Sequence, residues 1–291
     1  MTYSIKRLAR FSGLAACLIL LSACSATQLA YRNLDWLISR EVNQLVDLTS
    51  SQQAWFDNQL QGVLQWHCQT ELPRYRMDLQ RFGSYLLGDS LDATVIADEL
   101  ERTEDSAARS LQRAAPLFSG LLQRLSDDQV AELRGNMAEQ LAEKYEELVE
   151  PPLQARREDR IDKLEDQLQR WLGSLNDAQR ASVTQWIDGR DGSTEVWLDN
   201  RRQWESLLLA ELPDRQQPDF HERIRHLIVD YKALRTPAYA QQAPRSRASF
   251  AALLSTLMQQ ATPEQKTHFQ KRLNRLATDL DELTCKPGET G

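Results

Sequence analysis

The densest run of side chains able to ligate a metal or move a proton is His221-Glu222-Arg223-Ile224-Arg225-His226. Two histidines four apart would share one helix face and could hold zinc; five apart they diverge by about 140°. The spacing predicts no zinc site. His67 beside Cys68 puts a base next to a thiol, but adjacent helical residues point about 100° apart, and His67 is expected to pair with Glu71 one turn on. There is no glycine-rich phosphate loop, no G-x-S-x-G and no S-x-x-K, and the four histidines are dispersed. No catalytic residue, metal or cofactor is expected, and the chain does not read as an enzyme. Acidic runs at Asp98-Glu99, Glu104-Asp105 and Glu146-Glu147 read as solvated helix faces with basic partners nearby. Trp55 and Trp66, like Trp197 and Trp204, are spaced to share helix faces. Core packing is the expected role of these tryptophans, with an exposed aromatic groove for peptide or glycan as the alternative.

What positions these residues begins with the N-terminus. Lys6, Arg7 and Arg10 precede an apolar run over 11–21, shorter than the roughly 20 residues of a spanning helix, which is the pattern of a secretory signal. The run ends in Leu21-Ser22-Ala23-Cys24, which resembles the lipobox of bacterial lipoproteins. The resemblance implies removal of 1–23 as a signal peptide, a diacylglyceryl group on the Cys24 thiol and an acyl group, commonly palmitate, on its new amine. Several acyl chains anchor stably where one does not, each buried methylene contributing about 0.8 kcal/mol. Ser25 stands where inner-membrane lipoproteins carry aspartate, which implies an outer-membrane anchor facing the periplasm. Residues 24–28 would form a short tether and 29–291 the periplasmic body. Three basic residues leave with the signal, so 32 basic against 42 acidic side chains give the mature chain a formal charge of −10. So acidic a body is expected to repel nucleic acid. Its expected contacts are the membrane, through the lipid, and a protein partner in the envelope.

Of the four cysteines, Cys17 leaves with the signal and Cys24 is lipidated. Cys68 and Cys285 remain, an even pair in an oxidising compartment, and are expected to form a disulfide, with two free thiols as the alternative. By chain entropy such a bridge stabilises by about 5 kcal/mol.

The body is expected to be all-α, a multi-helix bundle or two-lobed helical array of about nine to twelve amphipathic helices, because apolar residues recur at helical period and almost nowhere alternate. Four capping boxes punctuate it: Thr49 with Gln52, Ser126 with Gln129, Asn176 with Gln179, and Thr262 with Gln265. In each, the first side chain caps a helix start and the glutamine three residues on reaches back to the cap's amide. Leu48, Leu125, Leu175 and Ala261 stand where a hydrophobic staple belongs. Helices are predicted over 28–47, 49–67, 72–87, 91–114, 117–124, 127–150, 156–172, 177–188, 194–212, 218–234, 249–260 and 263–283, with 235–247, holding Pro237 and Pro244, as a mobile loop. Glu71-Leu72-Pro73 and Glu211-Leu212-Pro213 each follow a capping box, so 29–152 and 153–291 could be copies of one unit.

The boxes at Leu48, Leu125 and Leu175 resemble the LTxxQ motifs of Spy/CpxP-type periplasmic helical proteins, which implies binding of unfolded clients. The lipobox, Tyr31, Leu34-Asp35-Trp36-Leu37, Leu48-Thr49, Trp66-His67 and Glu71-Leu72-Pro73-Arg74-Tyr75 together resemble an uncharacterised family of proteobacterial outer-membrane-type lipoproteins. That resemblance implies compartment and helical fold but no mechanism. The expected role is an uncharacterised, non-enzymatic interaction or scaffold protein of the cell envelope. A chaperone-like binder of unfolded clients is the alternative, and an enzyme acting on cell wall or lipid a distant third. Labelled palmitate is expected to enter the wild-type chain and to be lost in Cys24→Ser, read by autoradiography of the immunoprecipitated protein.

Overall fold

The computed structural model describes residues 26–190 and 192–285. The signal peptide, the lipobox Leu21, Ser22, Ala23 and Cys24, and Ser25 lie outside them. The described residues form an all-α fold of eleven α-helices and one 3-10 turn. In chain order these are α1 (Ala26–Arg32), α2 (Leu34–Asn43), α3 (Ser50–Leu86), α4 (Ala93–Gln123), α5 (Asp127–Leu148), α6 (Leu153–Leu172), α7 (Asp177–Asp188), α8 (Ser193–Glu211), the 3-10 turn Leu212–Asp214, α9 (Phe220–Val229), α10 (Pro237–Gln259) and α11 (Pro263–Leu283). No helix among them is long and apolar enough to cross a membrane.

All four capping boxes open helices: Thr49 caps α3, Ser126 α5, Asn176 α7 and Thr262 α11. The glutamines then do something that no single box reveals, because they meet in pairs. Gln52 and Gln129 exchange amide hydrogen bonds, each Nε2 donating to the other's Oε1 at 2.8 Å. Their remaining N–H groups donate to Arg124 O and Asp47 O, both at 2.7 Å. Gln179 and Gln265 repeat the arrangement at 3.1 and 2.9 Å, with Leu257 O and Ser174 O as the outer acceptors. Each Oε1 also accepts its own cap's backbone N–H. Two donors and two acceptors per amide are thus all engaged, which is the full capacity of the group. Gln179 is fully buried and Gln129 and Gln265 nearly so.

Three prolines sit inside helices where breaks are predicted. Pro73 lies within α3, Pro116 within α4 and Pro244 within α10, so 49–67 joins 72–87, 91–114 joins 117–124, and the expected mobile loop 235–247 is instead mostly the first half of α10. An internal proline costs about 3 kcal/mol of helix stability. Burial on both sides offsets it: Leu72 beside Pro73, and Ala115 and Leu117 around Pro116, are in the core. The first half of α10 is secured by its Thr236 cap, by Gln242 Nε2 donating to Ser193 O at 3.0 Å, and by Arg247 pairing with Glu104 at 2.8 Å. In the other direction, the stripe 28–47 divides at Asn33 into α1 and α2, and 218–234 shortens to α9.

The core interleaves early and late segments and does not divide at residue 152. One cluster joins Val46, Leu125 and Leu133 to Leu208, Leu212 and Phe220; another joins Leu86 and Ile96 to Leu172, Val183, Leu257 and Phe269. Helix α4, about 46 Å long at 1.5 Å per residue, reaches both through Leu122 and Ile96, and α3, about 55 Å long, packs along it and enters the second with Leu86. Between them lies Glu71, wholly buried, held by Arg74 at 2.8 Å and Arg109 at 3.0 Å. At the outer end, Cys68 and Cys285 are disulfide-bonded with Cα atoms 5.3 Å apart, tying α3 to the residues after α11. There α1 is clamped on α11 by Gln28, whose Nε2 donates to Asp279 Oδ1 at 3.0 Å.

Gln179→Ala strands Leu257 O, the Asn176 amide and the Gln265 side chain. It is expected to lower stability by about 3–5 kcal/mol, roughly 10 °C in Tm, while exposed Gln270→Ala changes it by less than about 0.5 kcal/mol. Differential scanning calorimetry reads both.

Candidate functional site

Two cavities of unlike chemistry adjoin along α4, α5 and α8. The first, of about 540 Å³, is walled by hydrocarbon from Leu45, Leu111, Phe118, Met137, Leu208 and Leu227. Three of the polar side chains at its edge are already engaged. Trp204 Nε1 donates to Leu227 O at 2.9 Å, Arg201 Nε to Glu205 Oε1 at 2.6 Å, and Asn200 Oδ1 accepts from Thr236 N at 3.0 Å. Native interiors hold few voids larger than a water, and small-molecule sites span about 300–1,000 Å³, so this chamber has the size and lining of a ligand site.

The second is a groove of about 750 Å³ between α4, α7, α8 and α10. Trp186, Trp197, Tyr239 and Phe250 form aromatic walls, and Arg190 and Arg235 bring charge. Arg190 lies over the Trp186 ring, 4.4 Å from its centroid, and its guanidinium has no carboxylate or hydrogen-bond partner among the described residues. Burial, and then the neighbouring Arg160 guanidinium, push its pKa down from the usual arginine value. Arg235 stacks between Tyr239 and Tyr231, at 5.3 and 5.6 Å, with its Nε buried and unbonded. The Trp186 indole N–H is likewise buried without an acceptor. Arg247, by contrast, is neutralised by Glu104 at 2.8 Å and Glu101 at 3.2 Å.

The chemically reactive side chains singled out in the sequence serve other ends. His221 pins α9 to α4, its Nδ1 2.8 Å from Ser119 Oγ and its Nε2 3.1 Å from Gln123 Oε1. His226 pairs with exposed Asp230 at 2.8 Å. Among the described residues no three His, Cys, Asp or Glu groups gather as a metal site would. The expected His67–Glu71 pair does not form, because Arg74 and Arg109 take the carboxylate. His67 instead bridges Tyr31 Oη at 2.9 Å and Tyr75 Oη at 3.3 Å, and Tyr75 reaches Ser110 Oγ at 3.1 Å. This chain fastens α1 to α3 and α4, and burial pushes the Tyr31 phenol up to about 12.

Trp197 stands in the groove and Trp204 in the chamber wall, while Trp55 carries Arg124 3.9 Å above its ring and packs on Gly120. Arg190 and Arg235 were not among the residues the sequence singled out. Trp186–Arg190, Tyr231–Arg235 and Arg235–Tyr239 are each four residues apart, but Arg190 lies beyond the end of α7 and Arg235 in the turn between α9 and α10, so helical spacing does not produce these contacts.

Burial, opposed by the Glu71 charge, depresses the His67 pKa below 6.5. The unfolded chain then binds the proton more readily, so stability is full above about pH 6.5 and falls as the pH drops through it. Urea unfolding at pH 7.5 and 5.5 is expected to show that loss, below about 1 kcal/mol for a half-exposed group, and His67→Gln to flatten it. The carboxylates whose pKa values are lowered, such as Glu99 and Glu195, act only in more acid solution.

Residues 44–240, more than half of the chain, match a family of unknown function, DUF6279. No curated protein and no solved structure matches.

Proposed function

The chain belongs to the DUF6279 family of unknown function, and from that premise we propose that it is a lipid-anchored, periplasm-facing binding protein of the Gram-negative envelope. It acts without catalysis, receiving a defined apolar group in the chamber between α4, α5, α8 and α9. The observation that carries this reading is the 540 Å³ apolar chamber, whose bordering Asn200, Arg201 and Trp204 are already bonded. A group that enters it meets hydrocarbon and displaces no hydrogen bond. The anchor at Cys24 accords with exposed Leu29 and Trp36 on α1 and α2, flanked by Arg32 and Arg40, a composition suited to a membrane interface.

A bounded apolar chamber of this size suits one ligand or one inserted side-chain cluster better than varied unfolded chains. The LTxxQ-like glutamines are also consumed in bonding to one another and to backbone, which leaves no amide to offer a client. The scaffold reading therefore stands ahead of the chaperone reading.

A photo-cross-linking amino acid at Leu111, which is 37 % exposed and lines the chamber, tests this in intact cells. One dominant adduct is expected. A broad set of envelope proteins, growing after heat or ethanol stress, would reverse the order of the two readings.

A further inference from the structure

The chamber and the arginine groove adjoin, because three segments pass directly from the lining of one to that of the other. On α4, Ala107 lines the groove and Leu111, one turn on, the chamber; on α8, Trp197 lines the groove and Arg201 and Trp204 the chamber. On α5 the step is longer, from Met137 in the chamber to Leu148 in the groove, eleven residues on. Leu234 lines the chamber while its neighbour Arg235 lines the groove, and the Arg235 guanidinium is held between Tyr231 on the chamber side and Tyr239 on the groove side. Hydrocarbon thus gives way within one helical turn to aromatic rings and cationic nitrogen.

At that boundary Arg190 and Arg235 have no carboxylate partner among the described residues, while the groove's own Glu104 is met by Arg247 and Lys232. The mature protein is strongly acidic, and near the groove Arg156 pairs with Glu195 at 2.7 Å, Arg157 with Asp188 at 2.5 Å and Arg247 with Glu104 at 2.8 Å. Arg190 and Arg235 are not paired among the described residues, and Arg235 Nε and Trp186 Nε1 are buried donors with no acceptor. Buried donors without acceptors cost about 1–3 kcal/mol each and are rare in native proteins. An anionic oxygen placed at this junction would satisfy Arg235, and a second acceptor further along the groove would satisfy Trp186.

We propose that chamber and groove together bind a single-chain anionic amphiphile, its acyl chain in the chamber and its carboxylate or phosphate on Arg235, with Arg190 and the Trp186 N–H further along the groove. This rests on the reading of the chamber as a binding site and names its ligand class. The acyl chain supplies affinity through apolar burial, and the arginines select the charged head and fix the chain's direction. The acidic surface elsewhere disfavours anionic bilayers, so an isolated amphiphile is taken up while a membrane surface is not.

The test is tryptophan fluorescence and calorimetric titration of the Cys24→Ser protein, exported and purified without its own acyl chains. Palmitate, lysophosphatidylglycerol and hexadecanol are the probes. Saturable one-to-one binding of at least one anionic probe is expected, with hexadecanol weaker by about tenfold or more. Arg235→Gln is expected to weaken the anionic probe by a similar factor while leaving hexadecanol unchanged, which also shows that the variant is folded. Preference between palmitate and the lysophospholipid distinguishes a carboxylate from a phosphate head. Equal binding of charged and uncharged probes by wild type and Arg235→Gln would overturn the arginine assignment while leaving the chamber a binding site. No binding of any probe, with Leu111 still cross-linking one protein in cells, would overturn the amphiphile and keep the interaction reading.

Discussion

The reciprocal glutamine amide pairs are the constraint on which the rest of this structure depends. A capping box by itself secures one helix start, at about 1 kcal/mol for the cap. Joined in pairs, the same groups lock two helix starts and two approaching strands of loop into one hydrogen-bonded unit. The Gln52–Gln129 unit grips the carbonyls of Asp47 and Arg124, whose neighbours Val46 and Leu125 are chamber wall. Arg215, itself buried, adds a bond from its Nε to Leu125 O at 2.9 Å. The polar unit therefore holds open one end of an apolar space that side chains alone would tend to fill. A neutral amide suits this place because it both donates and accepts; a carboxylate of the same shape could not donate, and an apolar residue would strand carbonyls and amides.

Charge in this molecule is distributed with a similar economy. Glu71, buried deepest of the acids, is met by two arginines, and the acidic runs on α4 find Arg81, Arg247 and Lys232. Arg190 and Arg235, like Arg40 over Trp36 and Arg124 over Trp55, have no carboxylate partner among the described residues and are stacked on aromatic rings that stabilise a cation without neutralising it. Stacking keeps a guanidinium in place and leaves its N–H edges free for an incoming anion.

The all-α class and the four capped helix starts were legible because they depend on local chemistry, the side chains of residues i and i+3 and an apolar period. The helices through Pro73, Pro116 and Pro244 were not, since the burial that offsets an internal proline comes from distant segments. The joining of Gln52 to Gln129 across 77 residues, and of Gln179 to Gln265 across 86, is likewise a tertiary fact. His67 shows the same limit: the sequence offers it Glu71 at the right spacing, but Arg109, from the next helix, takes the carboxylate. The groove was hidden for a related reason, because an arginine reads the same in sequence whether or not a carboxylate awaits it in the fold.

Native mass spectrometry of the Cys24→Ser protein, taken from the periplasm without delipidation, puts the account most directly at risk. A fraction of molecules carrying a discrete added mass is expected, released on denaturation and identified in the organic extract as an acyl chain with one anionic group, and absent from Arg235→Gln. A single apo mass in every preparation, unchanged when acyl amphiphiles are added during cell growth, would contradict it.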